Sequence, residues 1–141
     1  MKIKIAFVSM SVAVVVFASS AYATNWRLVK NLPDSKYFID RSSVRVEGVG
    51  KKEGDKREVK ILVSYETEQR NVKGARFFSM SFVDIFSCAN RTRTTLSSIE
   101  YEGKTGTGRI VNSHKIGHPI PENIRAGSVD EHVMEMFVCD L

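Results

Sequence analysis

The sequence predicts an α+β fold: a single antiparallel β-sheet of about six strands, connected as a meander, packed by a C-terminal α-helix. Three observations predict it. Between Tyr37 and His114, apolar and polar residues alternate over segments of strand length, separated by glycine-bearing turns. After His118-Pro119-Ile120-Pro121 the period changes, and Val129, Val133, Met136 and Phe137 recur at helical spacing. Two cysteines, Cys88 and Cys139, lie at the end of the most apolar strand and near the end of that helix.

In chain order, residues 1–23 read as a cleavable secretory signal. Met1-Lys2-Ile3-Lys4 is basic, Ile5 to Phe17 is apolar, and Ala21-Tyr22-Ala23 is a small-x-small cleavage pattern. The apolar run is short of the roughly 20 residues that span a bilayer. Cleavage after Ala23 leaves residues 24–141 as one domain. No cysteine lies near the cut to accept a lipid, so a periplasmic or secreted protein without a membrane anchor is expected. Of 21 basic and 16 acidic residues, only Lys2 and Lys4 fall in the signal, so the remainder carries +3. That charge is too small to argue for nucleic acid, which an exported protein is not expected to meet.

A short first strand is expected at Trp26–Val29, and a bent or bulged one at Tyr37–Val46, where Ser42-Ser43 breaks the alternation. Gly48–Lys56 reads as a long, mobile polar hairpin tip. Glu58–Glu66 is the cleanest strand, with Val59, Ile61, Val63 and Tyr65 on one face and only Leu62 out of pattern. Arg76–Cys88 is apolar on both parities, as in a central strand covered on both faces. A Thr- and Ser-rich strand, Arg91–Glu102, turns at Gly103–Gly108 and returns over Thr107–His114. Ser128 followed by Glu131 fits a capping box at the start of the helix. In an oxidising compartment an even pair of cysteines reads first as a disulfide. Free thiols and a redox pair are the alternatives, the latter disfavoured without a C-x-x-C. Closing so long a loop would contribute about 4 kcal/mol.

Residues that carry chemistry are sparse. His114 and His118 stand four apart, but Gly117 and Pro119 oppose a helix there, and with His132 elsewhere no metal-ligand cluster is visible. Ser79, Ser81, Ser87, Ser97 and Ser98 lie on strands, and no Gly-x-Ser-x-Gly elbow occurs. Asp40 and Asp84 interrupt apolar strands; they are expected to accept hydrogen bonds from a turn or to pair with Arg41 or Arg91 rather than form a catalytic dyad. Gly103-Lys104-Thr105 lacks the upstream glycine of a phosphate loop, since Ser98 stands there, and Asn90-Arg91-Thr92 matters as a glycan acceptor only in a eukaryotic secretory pathway. No enzyme, metal or cofactor is expected. As a partner-binding surface the candidates are Lys51, Lys52, Lys56 and Arg57, diluted by Glu53, Asp55 and Glu58, together with Arg91 and Arg93, which point the same way beside Cys88.

The order of these elements resembles the bacterial surface-adhesin protein E family. The resemblance rests on Trp26, Tyr37-Phe38-Ile39-Asp40 with Ser43-Val44, Ser81-Phe82-Val83-Asp84-Ile85-Phe86-Ser87-Cys88 with Arg91 and Arg93, and then Pro121, Ser128 and Cys139. It implies one antiparallel sheet, a C-terminal helix and a Cys88–Cys139 bridge. It also implies a non-enzymatic binding module for host matrix or plasma proteins that assembles as a homodimer. The chain departs from the lipid-anchored namesake in having no lipidation cysteine, and in Gly117-His118 where an aromatic residue is often seen. Three functions are therefore weighed: a module binding a protein or glycan through a sheet face or edge, a periplasmic inhibitor of a host hydrolase such as lysozyme or another envelope accessory protein, and an enzyme. The first is preferred because no catalytic set accompanies the resemblance. A lysozyme-inhibition assay separates the second, and a pocket joining Asp40, Asp84 or a histidine to a partner would be needed for the third.

Overall fold

The computed structural model describes residues 24–47 and 56–140. The expected signal, and the expected hairpin tip apart from Lys56, lie outside the described residues. Six strands follow one another across an antiparallel sheet: β1 (Trp26–Asn31), β2 (Ser35–Glu47), β3 (Lys56–Arg70), β4 (Arg76–Ser87), β5 (Thr92–Tyr101) and β6 (Ile110–Lys115). A two-residue β7 (Glu122–Asn123) pairs with the start of β5, beyond the stretch that β6 covers. The meander is thus as expected, with one short added strand.

The interruption at Ser42-Ser43 is a bulge between Asp40 and Arg45. Asp40 accepts hydrogen bonds from the Ser42 backbone N–H and hydroxyl, and the Ser43 hydroxyl donates to the Asp40 carbonyl while accepting from the Lys60 N–H. Asp40 is therefore a turn acceptor, one of the two roles expected of it.

One face of the sheet carries Ile39, Val59, Ile61 and Phe86, and the C-terminal segment closes over them with Val133, Met134 and Val138. That segment is shorter and less regular than the sequence period suggests. Its α-helix α1 is Val129–Val133, and Met134–Val138 continues as a π turn, with the Cys139 N–H donating to the Met134 carbonyl at 2.8 Å. The wider turn changes the phase of burial. Val133 and Val138, five apart, share the core, and Met136, expected on the buried stripe, is exposed. The turn also carries Cys139 to Cys88, with which it forms the disulfide at a Cα–Cα distance of 5.8 Å.

Leu62, the residue out of pattern, is fully buried on the opposite face. The β5–β6 connection folds onto that face as a short 3₁₀ turn, Lys104–Gly106, held by Ser79, whose hydroxyl accepts from the Gly106 N–H and donates to the Gly103 carbonyl. Gly106 has φ +71°, and a Cβ there would meet Trp26 Nε1 at 3.5 Å and Leu62 Cδ1 at 3.6 Å. Trp26, Leu62 and this glycine make a second, small apolar centre.

Candidate functional site

The C-terminal helix is held to the sheet by two arginines as well as by the disulfide. Asp84, fully buried on β4, lies opposite Thr95 in the β4–β5 register, and Arg93 stands two residues earlier on β5, opposite Phe86. Its Nε approaches Asp84 Oδ2 to 2.9 Å, while its Nη1 donates to Asp130 in the first turn of α1, also at 2.9 Å. The Nε contact is close in distance but not aligned as a hydrogen bond, so the pair is held mainly by charge. The guanidinium also lies 5.6 Å from the Phe82 ring centroid. Burial pushes the Asp84 carboxyl above the usual carboxylate range, against the pull of Arg93 and Thr95. Burial acts to lower Arg93, but Asp84 and Asp130 outweigh it and hold the guanidinium above its ordinary value.

Arg91 adopts a left-handed conformation, φ +51°, at the turn before β5. From there its Nη1 reaches Glu135 at 2.9 Å and its Nη2 reaches Glu131. Glu131 and Glu135 are four apart, one turn along the same face. Ser128 caps the helix by accepting from the Glu131 N–H at 3.2 Å, and Glu131 reaches back to the Gly127 N–H at 2.7 Å. The partner of Asp84 is thus Arg93, where Arg41 or Arg91 was the expectation, because the β4–β5 pairing sets Arg93 beside Asp84 and the turn carries Arg91 out to the helix.

The candidate surface cations fall into separate places. Arg91 and Arg93 face the acids of the helix. Lys56 and Arg57 open β3; Lys51 and Lys52 lie outside the described residues. His114 is exposed on β6, His118 is exposed after it, and His132 Nε2 lies 3.2 Å from the Val29 carbonyl, tying the helix to β1. Among the described residues no group of three or more His, Cys, Asp or Glu is arranged to hold a metal ion. Among the described residues, too, no helix is long and apolar enough to cross a membrane.

The β3–β4 hairpin tip is not among the candidates that composition and motifs single out. Asn71 builds it: its side-chain oxygen accepts from the Lys73 and Ala75 N–H groups, each at 3.0 Å, and its amide donates to buried Glu100 at 2.7 Å. The Asn71 N–H donates to the Ala75 carbonyl, and Gly74, at φ +79°, closes the turn by donating to the Asn71 carbonyl. On this rigid frame Val72 is fully exposed, with a relative accessibility of 103%. Arg70 and Arg76 pair across the base of the same hairpin, and Lys73 follows Val72 in the turn. Glu68, the acid beside them, approaches Arg70 at 3.4 Å and Arg76 at 3.5 Å. The signal was legible as Asn71-x-x-Gly74 between two strand runs, with Arg70, Lys73 and Arg76 close by in sequence. Next along, Glu66 bridges Lys36 and Lys104, which hold its carboxyl below the usual range.

The described residues thus form a meander sheet with a disulfide-tied terminal helix and an ordered basic β3–β4 hairpin. The family profile for surface-adhesin protein E matches residues 26–140, and the chain belongs to that family. The fold is similar to that of Haemophilus influenzae protein E. One crystal form superposes with a TM-score of 0.62 at 19% identity, over 79% of this chain and 85% of that one. The structure from a non-typeable strain superposes with 0.54 at 18% identity, over 86% and 85%. No curated protein matches the chain.

Proposed function

We propose that this protein is an exported adhesin-like module that binds a host matrix or plasma protein through the β3–β4 hairpin tip. The observation that carries the reading is Val72, fully exposed on a hydrogen-bonded turn whose sequence also holds Arg70, Lys73 and Arg76. A large apolar side chain raised on a rigid tip loses little entropy on docking, and the cations of the hairpin favour an acidic partner surface. Lys56 and Arg57, at the opposite end of β3, are a subsidiary contact in this reading, and Lys51 and Lys52 precede them in the sequence. Arg91 and Arg93 contribute by holding the helix in place. Family membership supports the partner class.

The test is capture of purified matrix and plasma glycoproteins by the oxidised protein, comparing wild type with Val72→Asp. Capture of at least one glycoprotein at micromolar concentration, lost in the variant, is expected. Capture undiminished by Val72→Asp would remove the tip from the interface, and no capture from the panel would count against adhesion itself.

A further inference from the structure

Beside the first turn of α1, on the face that bears the helix, lies a cleft of about 310 Å³ lined by Tyr37, Tyr65, Phe82, Arg93, Val129 and Asp130 among others. Its size is at the small end of ligand sites, about 300–1,000 Å³. We propose that this cleft binds one neutral pyranoside ring, as a free sugar or the end of a glycan.

Three features point to that ligand. The first is the aromatic wall. Tyr37 and Tyr65 stand on adjacent strands of the same face, and the Tyr65 ring is fixed edge-on by Phe77 at 6.0 Å. Such faces take the C–H side of a sugar ring, and their phenols present polar atoms at the rim. The second is unmet hydrogen-bonding capacity. Among the described residues neither phenol oxygen has a protein partner, whereas Tyr101, on the other face, meets Ser81 at 3.2 Å. Asp130, also in the lining, commits one oxygen to Arg93. Hydroxyls of a sugar satisfy donors and acceptors of this mixed kind; an apolar side chain would leave them unpaired. The third is charge. Arg93 is already shared between Asp84 and Asp130, and Asp34 stands near enough to Tyr65 to raise its phenol further, after burial and Tyr37. No cation remains in the cleft for a carboxylate or sulfate, so a neutral ring is favoured over sialate or a sulfated sugar.

The charged wall of the cleft is held before the ligand arrives. Arg93 is fixed by two acids and by Phe82, and Asp130 belongs to a capped helix tied down by the disulfide. Such preorganisation suits a ligand that offers little apolar area.

The experiment is protein-detected NMR of the oxidised protein titrated with methyl glycosides of glucose, galactose and mannose, with sialic acid as the anionic comparator. At least one neutral glycoside should give saturable millimolar shifts concentrated at Tyr37, Tyr65 and Phe82. Tyr65→Phe, which keeps the ring and so the packing, should weaken that binding about tenfold, the effect of one lost hydrogen bond of roughly 1.4 kcal/mol. Val72→Asp should leave it unchanged, which separates this site from the hairpin tip. Absence of saturable shifts with every neutral glycoside, or tighter binding of sialic acid, would overturn the proposal.

Discussion

Arg93→Met removes the one cation facing a fully buried carboxylate, and the structure sets the size of the loss. Asp84 is completely buried and its nearest cation is Arg93 at 2.9 Å. Breaking a buried pair from one side typically costs about 3–5 kcal/mol, because a charge is left without compensation. Asp84 has an escape, which is to take up a proton. For a carboxyl that titrates near 3.9 when unfolded, protonation at pH 7 costs about 4 kcal/mol at 1.36 kcal/mol per unit, and this caps the penalty. The wild-type carboxyl, already raised by burial, carries part of that cost, so the expected loss near neutrality is about 2–3 kcal/mol, a large fraction of the roughly 5–15 kcal/mol of a domain this size. Asp84→Asn should be milder, since Arg93 keeps Asp130. The double variant should recover most of what Arg93→Met loses, since no buried charge remains to be compensated.

The pH dependence gives a second check on the same substitution. The folded pKa of Asp84 is already raised, so across the window from its unfolded value up to its folded one the native chain holds a proton that the unfolded chain has released. Stability falls with rising pH in that window. Arg93→Met raises the folded value further, so its deficit should be smallest near pH 4 and grow by up to about 1.4 kcal/mol per pH unit once the pH passes the wild-type folded value. Urea unfolding of the oxidised proteins, read as midpoint and m-value at several pH values, measures both effects. A deficit below about 1 kcal/mol, or one equal at pH 4 and pH 7, would refute the assignment of Arg93 as the counter-charge of Asp84.

Three further outcomes are expected. Replacing Cys88 and Cys139 by serine opens a loop of 51 residues and should lower stability by about 4 kcal/mol, read as a drop in urea midpoint that matches reduction of the wild type. Ser79→Ala leaves the Gly103 carbonyl and Gly106 N–H without their partner and should cost about 2 kcal/mol, with a red shift of Trp26 fluorescence as the 3₁₀ turn loosens over it. Glu66→Gln, at an exposed bridge to Lys36 and Lys104, should barely move the midpoint in high salt. At low salt its deficit should be present above the unfolded carboxylate value and vanish as pH falls through the lowered folded one, measured by the same titration.

The sheet was legible because its strands obey one rule. Val59, Ile61 and Val63 alternate cleanly, Ser42-Ser43 marks the bulge, and the glycines at Gly103–Gly108 mark the turn. Leu62 looked like a flaw only because a period of two assumes one buried face; the turn that folds onto the other face is a long-range contact with Ser79 and Trp26. The terminal helix misled in phase. A helical period of 3.6 places Met136 inside, whereas the π turn puts Val138 there, and that choice is made by the disulfide and the packing partners rather than by local sequence. Arg91 and Arg93 read as surface cations because their acids, Asp84, Asp130, Glu131 and Glu135, are remote in sequence or on the helix. The hairpin tip at Asn71 carried a local signal, but its rigidity depends on Glu100, which the sequence does not bring near. The Tyr37–Tyr65 cleft depends on strand register combined with the position of the capped helix, and neither can be read from spacing alone.

Recognition by the basic hairpin tip is tested most directly by surface-binding kinetics of a captured glycoprotein with the oxidised protein and two charge-reversed forms. One form carries Lys73→Glu and Arg76→Glu at the tip, the other Lys56→Glu and Arg57→Glu at the far end of β3. The tip form should associate at least about tenfold more slowly and lose its salt dependence, while the β3 form stays within about threefold of wild type. Equal losses in both forms, or a loss confined to the β3 form, would contradict the assignment of the tip as the recognition element.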